Sequence, residues 1–294
     1  MQRAVRSQPG FGWLWTAVGT SALGSFIGAL AMGFVLVDTL HASSAGVALI
    51  AVTQLAAGAI ASPLAGVLAD RRSRRALMIA ADAGRAGVLC VLPLLDHVGA
   101  LSLGAVALVS AATGIGDALF NASYGGHLAE LVGRERLVGA NSLIAATMSM
   151  AEIAGFTLAG VLVGLVGAPV AMAVDGASFA ISAGCLLAIR VPERQAAATR
   201  TRSATGAERR REALAGFAAI RSDPVLRSLT WTAATYDIAV AMTGVGYLLY
   251  LRGRLGFAPA VLTPIFAIGG ITSLAGAWAA GCAERRGRLG GAMA

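Results

Sequence analysis

The chain contains no lysine, and charge of any kind is scarce: 13% of its 294 residues are charged, against 57% hydrophobic. A soluble domain of this length needs roughly twice that charge to cover its surface, so a water-soluble globule is excluded. Cysteine is almost absent. Cys90, Cys185 and Cys282 stand singly inside apolar stretches, which excludes a disulfide framework and any CxxC metal site and leaves them as small packing residues. There is no nucleotide-binding loop, no metal-ligand spacing and no nucleophile elbow. Gly114-Ile115-Gly116 reads as helix packing, because no strand precedes it. No set of catalytic residues converges on one face, so the chain is not expected to be an enzyme or to need a cofactor. Period-two alternation is also missing, which excludes a β-barrel.

What is abundant is apolar length. The mean hydropathy is +0.74, and the 38 glycines are heavy for soluble helices but ordinary where helices pack closely in lipid. A spanning helix needs about 20 mostly apolar residues. Such runs fall near 12–37, 45–69, 76–95, 99–122, 138–165, 169–190, 228–251 and 259–282. Backbone groups inside a bilayer must be satisfied within the segment, so these are helices. The fold class is therefore an all-α integral membrane protein. The first run follows Arg3 and Arg6, lacks a small-residue cleavage site and is too long for a signal peptide, so it reads as a retained span.

The net charge of +8 rests wholly on arginine, clustered between the apolar runs rather than spread as a nucleic-acid patch. With the N-terminus in the cytoplasm, the inner segments hold Arg3 and Arg6, then Arg71, Arg72, Arg74 and Arg75, then Arg134 and Arg136. The connection carrying Arg190 to Arg227 and the cluster Arg285, Arg286 and Arg288 also fall inside, whereas the outer loops hold only Arg252 and Arg254. The positive-inside rule then puts both termini in the cytoplasm. The connection over 191–226 has an Ala/Thr/Arg-rich first part, Gln195 to Thr205, expected to be a mobile solvated linker. Its second part, Gly206 to Arg221, reads as a basic amphipathic helix with Leu214, Phe217 and Ala218 on one side, lying in the inner headgroup layer until Asp223-Pro224 stops it.

At the inner end of the second span stands Gly66-Val67-Leu68-Ala69-Asp70-Arg71-Arg72-Ser73-Arg74-Arg75. Gly66 is expected to permit close helix approach, and Asp70 to meet arginines or a helix N-terminus. A plain positive-inside cluster would use the same arginines. A shift of 214 residues lays Ala69-Asp70-Arg71-Arg72-Ser73-Arg74 on Ala283-Glu284-Arg285-Arg286-Gly287-Arg288. The first stretch resembles the loop signature G-x-x-x-D-R-x-G-R-R of major facilitator superfamily transporters, with Ser73 in place of the second glycine. Ala81-Asp82-Ala83-Gly84-Arg85-Ala86, Leu131 to Asn141 and Asp223-Pro224-Val225-Leu226-Arg227 are similar to runs in the branch that contains siderophore and macrolide exporters. The resemblance covers nearly the whole chain. Gly155-Phe156-Thr157-Leu158-Ala159-Gly160 stands where antiporters of the superfamily carry a G-P-x-x-G-type motif, and it lacks the kink-forming proline.

The resemblance implies two parallel six-helix halves joined by a long cytoplasmic connection, with binding between them near the midplane. On this plan 1–190 is the N-terminal six-helix half, 191–226 the connection, and 227–294 the first two helices of a second half. It implies a secondary active transporter in the plasma (inner) membrane, exporting a hydrophobic or amphipathic small molecule by alternating access, with the proton as coupling ion. Gly66, Asp70, Arg71, Arg74 and Arg75 would form an inner gate, echoed by Glu284, Arg285, Arg286 and Arg288. The superfamily plan has twelve helices and this chain is read as having eight. The alternative expectation is therefore a truncated or degenerate paralogue, retained as a membrane scaffold or remnant.

Charges at bilayer depth are expensive and are usually functional. Asp82 and Arg85 share one face of the third helix and can pair, and Asp117 of the fourth should reach a similar depth. A structural triad is expected there. Glu152 and Asp237 fall near mid-membrane without a basic partner in sequence, which leaves proton coupling and polar helix packing both open. Gly155, Gly160 and Gly164 should pack closely and dehydrate Glu152, making it the proton carrier. Thr232, Thr235 and Tyr236 surround Asp237 and favour a substrate contact. Asp175 is expected to serve packing or gating, Asp38 and His41 to lie in a solvated outer mouth, and His127 to precede an inner loop.

Overall fold

The computed structural model describes residue 8, residues 10–191 and 221–257, and positions 261 and 268. The eighth apolar run apart from those two positions, the arginine cluster near 285, and both the linker over 195–205 and nearly all of the amphipathic part of the connection lie outside the described residues. Among those described there is no strand. Helix α1 spans Phe11–Phe34 and continues through a wider π-type turn, Val35–Thr39; α2 spans Ser44–Arg71 and α3 Arg74–His97. Next come α4, Leu103–Val132, a 3₁₀ turn at Arg134–Arg136, α5, Leu137–Val166, and α6, Ala168–Ala188. Helix α7, Pro224–Leu248, ends in a second π-type turn, Leu249–Arg254.

The ends of these helices follow from local chemistry. Ser43 caps α2 by accepting from the Gly46 N–H at 3.2 Å, and Ser73 caps α3 by accepting from the Ala76 N–H at 3.1 Å. Gly167, at φ 83°, adopts the left-handed backbone that lets α5 stop and α6 begin within one residue, with Pro169 in the first turn of α6. Asp223 caps α7, its Oδ1 accepting from the Val225 N–H at 2.8 Å. Six of the described helices, α1 to α6, are long and apolar enough to cross a membrane. Their outward surfaces carry exposed Leu49, Val52, Ile60, Leu64, Leu94, Leu108 and Leu165, a covering suited to lipid and unsuited to water.

Packing divides the chain into two compact units. One comprises α1, the end of α4 from Leu128, α5 and α6; the other comprises α2, α3, α4 as far as His127, and α7. In the first unit, Gly10 of the α1 entry lies by Ile189, Gly24 by Ser178 and Gly28 by Asp175, so α1 and α6 run antiparallel. Gly19 lies by Thr147 and Phe26 by Gly155, so α1 and α5 run parallel. In the second unit, Gly46 lies by Leu103 and Gly58 by Gly114, which sets α2 parallel to α4. Arg74 lies by Gly126 and Arg85 by Gly116, which sets α3 antiparallel to α4. Among α1, α5 and α6 and among α2, α3 and α4, odd and even helices therefore run in opposite directions, as successive crossings of one membrane require.

One boundary differs most from expectation. Helix α4 continues ten residues beyond the expected end at 122, through Gly125 and Gly126 to Val132. His127 is consequently a buried residue inside the helix, which ends at Val132 before the loop at Gly133. Cys90 is exposed while Cys185 is buried, so only the second of these packs in the interior.

Candidate functional site

Arg85 occupies the middle of the 24-residue α3 and Asp117 the middle of the 30-residue α4. The three-residue step from Asp82 to Arg85 turns both side chains to one face of α3. The guanidinium pairs with the Asp82 carboxylate through one terminal nitrogen and with Asp117 Oδ1 at 2.5 Å through the other. Asp82 is fully enclosed and Arg85 6% exposed, whereas the Asp117 side chain is 40% exposed. Gln54 of α2 donates from Nε2 to Asp117 Oδ2 at 3.4 Å.

Small residues make this arrangement possible. A Cβ on Gly116 would lie 2.7 Å from Arg85 Cγ, so only glycine there lets the arginine stem lie flat against α4. A Cβ on Gly114 would run into the Gln54 carbonyl oxygen, and one on Gly58 would lie 3.1 Å from the Gly114 carbonyl oxygen. That backbone-to-backbone approach delivers Gln54 to Asp117. The Phe120 ring lies 5.1 Å from Arg85 Cζ and supplies a cation–π contact, and Phe120 in turn stacks on Tyr124 at 6.1 Å. Gln54 and Phe120 were not anticipated. The visible signal for Gln54 was a lone amide in an otherwise apolar span.

The inner-gate residues are placed differently from expectation. Arg71 ends α2, and Arg74 and Arg75 open α3. Arg74 lies across α4 at Gly126, where an added Cβ would fall 2.5 Å from its Cζ. Asp70 is exposed, and among the described residues no ion pair joins it to Arg71 or Arg74. Nothing described lies within 4 Å of a Cβ placed on Gly66, so the close helix approach expected there is not seen. Ser73, in the place of a glycine in the signature, works as the α3 cap.

Glu152 lies at the middle of α5 and is partly buried. Gly155 meets α1 tightly: a Cβ there would lie 2.6 Å from Phe26 Cβ and 3.0 Å from the Leu23 carbonyl oxygen. Gly160 is buried, but Gly164 is exposed with no described atom within 4 Å of an added Cβ, so it packs against nothing described. Asp237 belongs to α7, and its side chain lies outside the described residues. Nearby Thr232 donates its hydroxyl to the Ser228 carbonyl at 2.9 Å, so that proton serves its own helix. Glu284, Arg285, Arg286 and Arg288 also lie outside the described residues. Asp175 is buried against α1, where Cβ atoms on Gly24 or Gly28 would collide with its side chain or with Ser178.

These features define a multi-pass helical membrane protein with acidic and basic side chains held at mid-helix. Residues 14–292 match the family model described as Major Facilitator Superfamily, and the chain belongs to that superfamily of transporters. A search of curated proteins gave no match.

Proposed function

We propose that the protein is a proton-coupled secondary exporter of a hydrophobic or amphipathic small molecule. It would act in the plasma (inner) membrane with both termini cytoplasmic, and would be related to the siderophore and macrolide exporters. Residues 1–190 form its N-terminal half, 191–226 the cytoplasmic connection and 227–294 the start of the second half. The observation that carries this reading is Glu152. It is the one charged residue in the 30 residues of α5, at the helix midpoint and beside the tight α1 contact at Gly155. A carboxylate so placed is costly unless used, and protonation relieves that cost. Asp237 is the substrate contact. Gly66, Asp70, Arg71, Arg74 and Arg75 form the inner gate, with Glu284, Arg285, Arg286 and Arg288 as its counterpart.

Glu152→Gln mimics the protonated form with little change in shape. In vesicles holding the full chain, this variant is expected to lose accumulation of an amphipathic dye driven by a pH gradient while keeping dye exchange at zero gradient. Accumulation equal to that of the parent would remove Glu152 from the coupling role.

A further inference from the structure

Beside the start of α1 and the end of α6 lies a cavity of about 480 Å³, lined by Gly10, Trp13, Ala188, Arg190 and Val191. Local sequence builds it. Gly10, at φ 83°, takes a left-handed turn, and a Cβ there would lie 3.0 Å from Ile189 Cγ2 and 3.1 Å from Val191 Cγ2. The entry to α1 is thereby laid against the extended backbone that follows α6 at Ile189. Ile189 is buried in this seam, whereas Trp13 and Arg190 stay exposed. Two apolar spans end here, which puts the cavity at the level of the membrane surface.

The lining joins two unlike chemistries. Gly10, Ala188, Val191 and the Trp13 ring offer carbon, while Arg190 offers a forked cation and Trp13 Nε1 a neutral donor. Among the described residues no carboxylate pairs with Arg190. A soluble anion would satisfy the guanidinium and leave the carbon bare. A bare hydrocarbon chain would do the reverse. A lipid that carries a phosphate anion at the head of two acyl chains meets both.

We propose that this cavity is a binding site for an anionic phospholipid. Arg190 takes the phosphate oxygens through its fork, and Trp13 donates to a headgroup or ester oxygen. The first acyl carbons cover Ala188 and Val191. A zwitterionic lipid fits less well, because its ammonium finds no carboxylate among the lining residues. Under the orientation proposed above, the lipid belongs to the inner leaflet. The site itself does not depend on the transport reading.

The test uses the full chain in phosphatidylcholine nanodiscs that hold a minority of dibrominated phosphatidylglycerol, or the same fraction of dibrominated phosphatidylcholine. Trp15→Phe, Trp231→Phe and Trp278→Phe leave Trp13 as the one tryptophan, so bromine quenching reports the lipid beside it. Phosphatidylglycerol is expected to occupy the site about fivefold more readily than phosphatidylcholine, the worth of one guanidinium facing an anionic lipid. Arg190→Gln should bring that ratio close to one. Arg134 lies at the same end of the unit, since Leu131 also flanks Gly10, but it does not line the cavity. Arg134→Gln should therefore keep the ratio within about twofold of the parent.

Equal quenching by the two lipids overturns the inference, as does a ratio that survives Arg190→Gln in a monodisperse protein. An equal loss in Arg134→Gln would mark a diffuse basic surface and overturn it too. Displacement of the lipid by glycerol phosphate would mark a site for soluble anions, with the same consequence. Should the single-tryptophan chain fail to fold, the parent carries the test through the lipid it retains in mild detergent. Retained phosphatidylglycerol should exceed phosphatidylcholine and fall with Arg190→Gln, and equal retention of both overturns the inference. Neither measurement contains a transport step, so failure here leaves the transporter reading intact.

Discussion

The two packing units are held together by opposite means. In the unit of α1, α5 and α6, the helices meet through small residues. Gly24 and Gly28 receive Asp175 and Ser178 of α6, Gly155 receives Phe26, and the side-chain hydrogen bond from Trp15 Nε1 to Thr147 Oγ1 at 2.7 Å adds a directional contact. An edge-to-face pair of Phe26 and Phe156, 5.4 Å apart at 61°, adds shape to the same seam. In the unit of α2, α3 and α4, glycines again allow approach, but what they bring together is charged: Arg85 between Asp82 and Asp117, with Gln54 reaching across. Lipid offers no hydrophobic drive between helices, so close dispersion contact and buried polar pairing are the two means left. One unit relies chiefly on the first, the other on the second.

That contrast sets the expected damage from substitution. The largest effect is expected at Arg85. Arg85→Ala removes the guanidinium that joins the Asp82 and Asp117 carboxylates and should destabilise the folded chain by about 3–5 kcal/mol, read as loss of monodisperse protein and a lower unfolding midpoint. Arg85→Lys should recover only part of this, because an ammonium cannot fork between Asp82 and Asp117. Next comes the small-residue seam. Gly28→Leu in α1 and Gly114→Leu in α4 should each lose about 1–3 kcal/mol through overpacking, while the same change at Gly66 or Gly164 should leave the midpoint unmoved. Equal losses at all four positions would erase the distinction between glycines that carry contacts and those that do not.

Smaller effects belong to single hydrogen bonds. Ser73→Ala removes the α3 cap and is expected to lower stability by about 1 kcal/mol, against no loss for Ser73→Asp. Trp15→Phe keeps the ring but drops the donor to Thr147, for which about 0.6 kcal/mol is expected. Asp70→Asn sits at the end of the scale. The residue is exposed and unpaired among the described residues, so the unfolding midpoint should not shift. A gate role would then show only as slower transport.

Legibility in the sequence followed the same divide. Charges are so rare here that each one in an apolar span is conspicuous, and the three-residue step from Asp82 to Arg85 makes their shared helix face readable without coordinates. Glycines are the reverse case. With 38 of them, abundance hides which ones touch a neighbour, because contact depends on helical phase and on the partner helix. Gly66 and Gly164 looked suited to packing and meet nothing described, whereas Gly24, Gly28 and Gly126 carry close contacts that the sequence does not single out. The apolar run of α4 was expected to end at 122. Across the helix the Arg74 side chain lies against Gly126, and the helix runs on to Val132. Ser73 looked like a mere departure from a signature, yet a hydroxyl just before a helix is a ready cap.

The central claim, that this chain moves a small amphipathic molecule at the expense of a proton gradient, is tested most directly by flux through the unmodified protein. Vesicles containing the full chain would be given a pH gradient and an amphipathic fluorescent dye, with protein-free vesicles alongside and nigericin added midway. The account predicts protein-dependent accumulation that collapses when nigericin dissipates the gradient. Dye movement at the same rate in protein-free vesicles, or accumulation indifferent to nigericin, would contradict it.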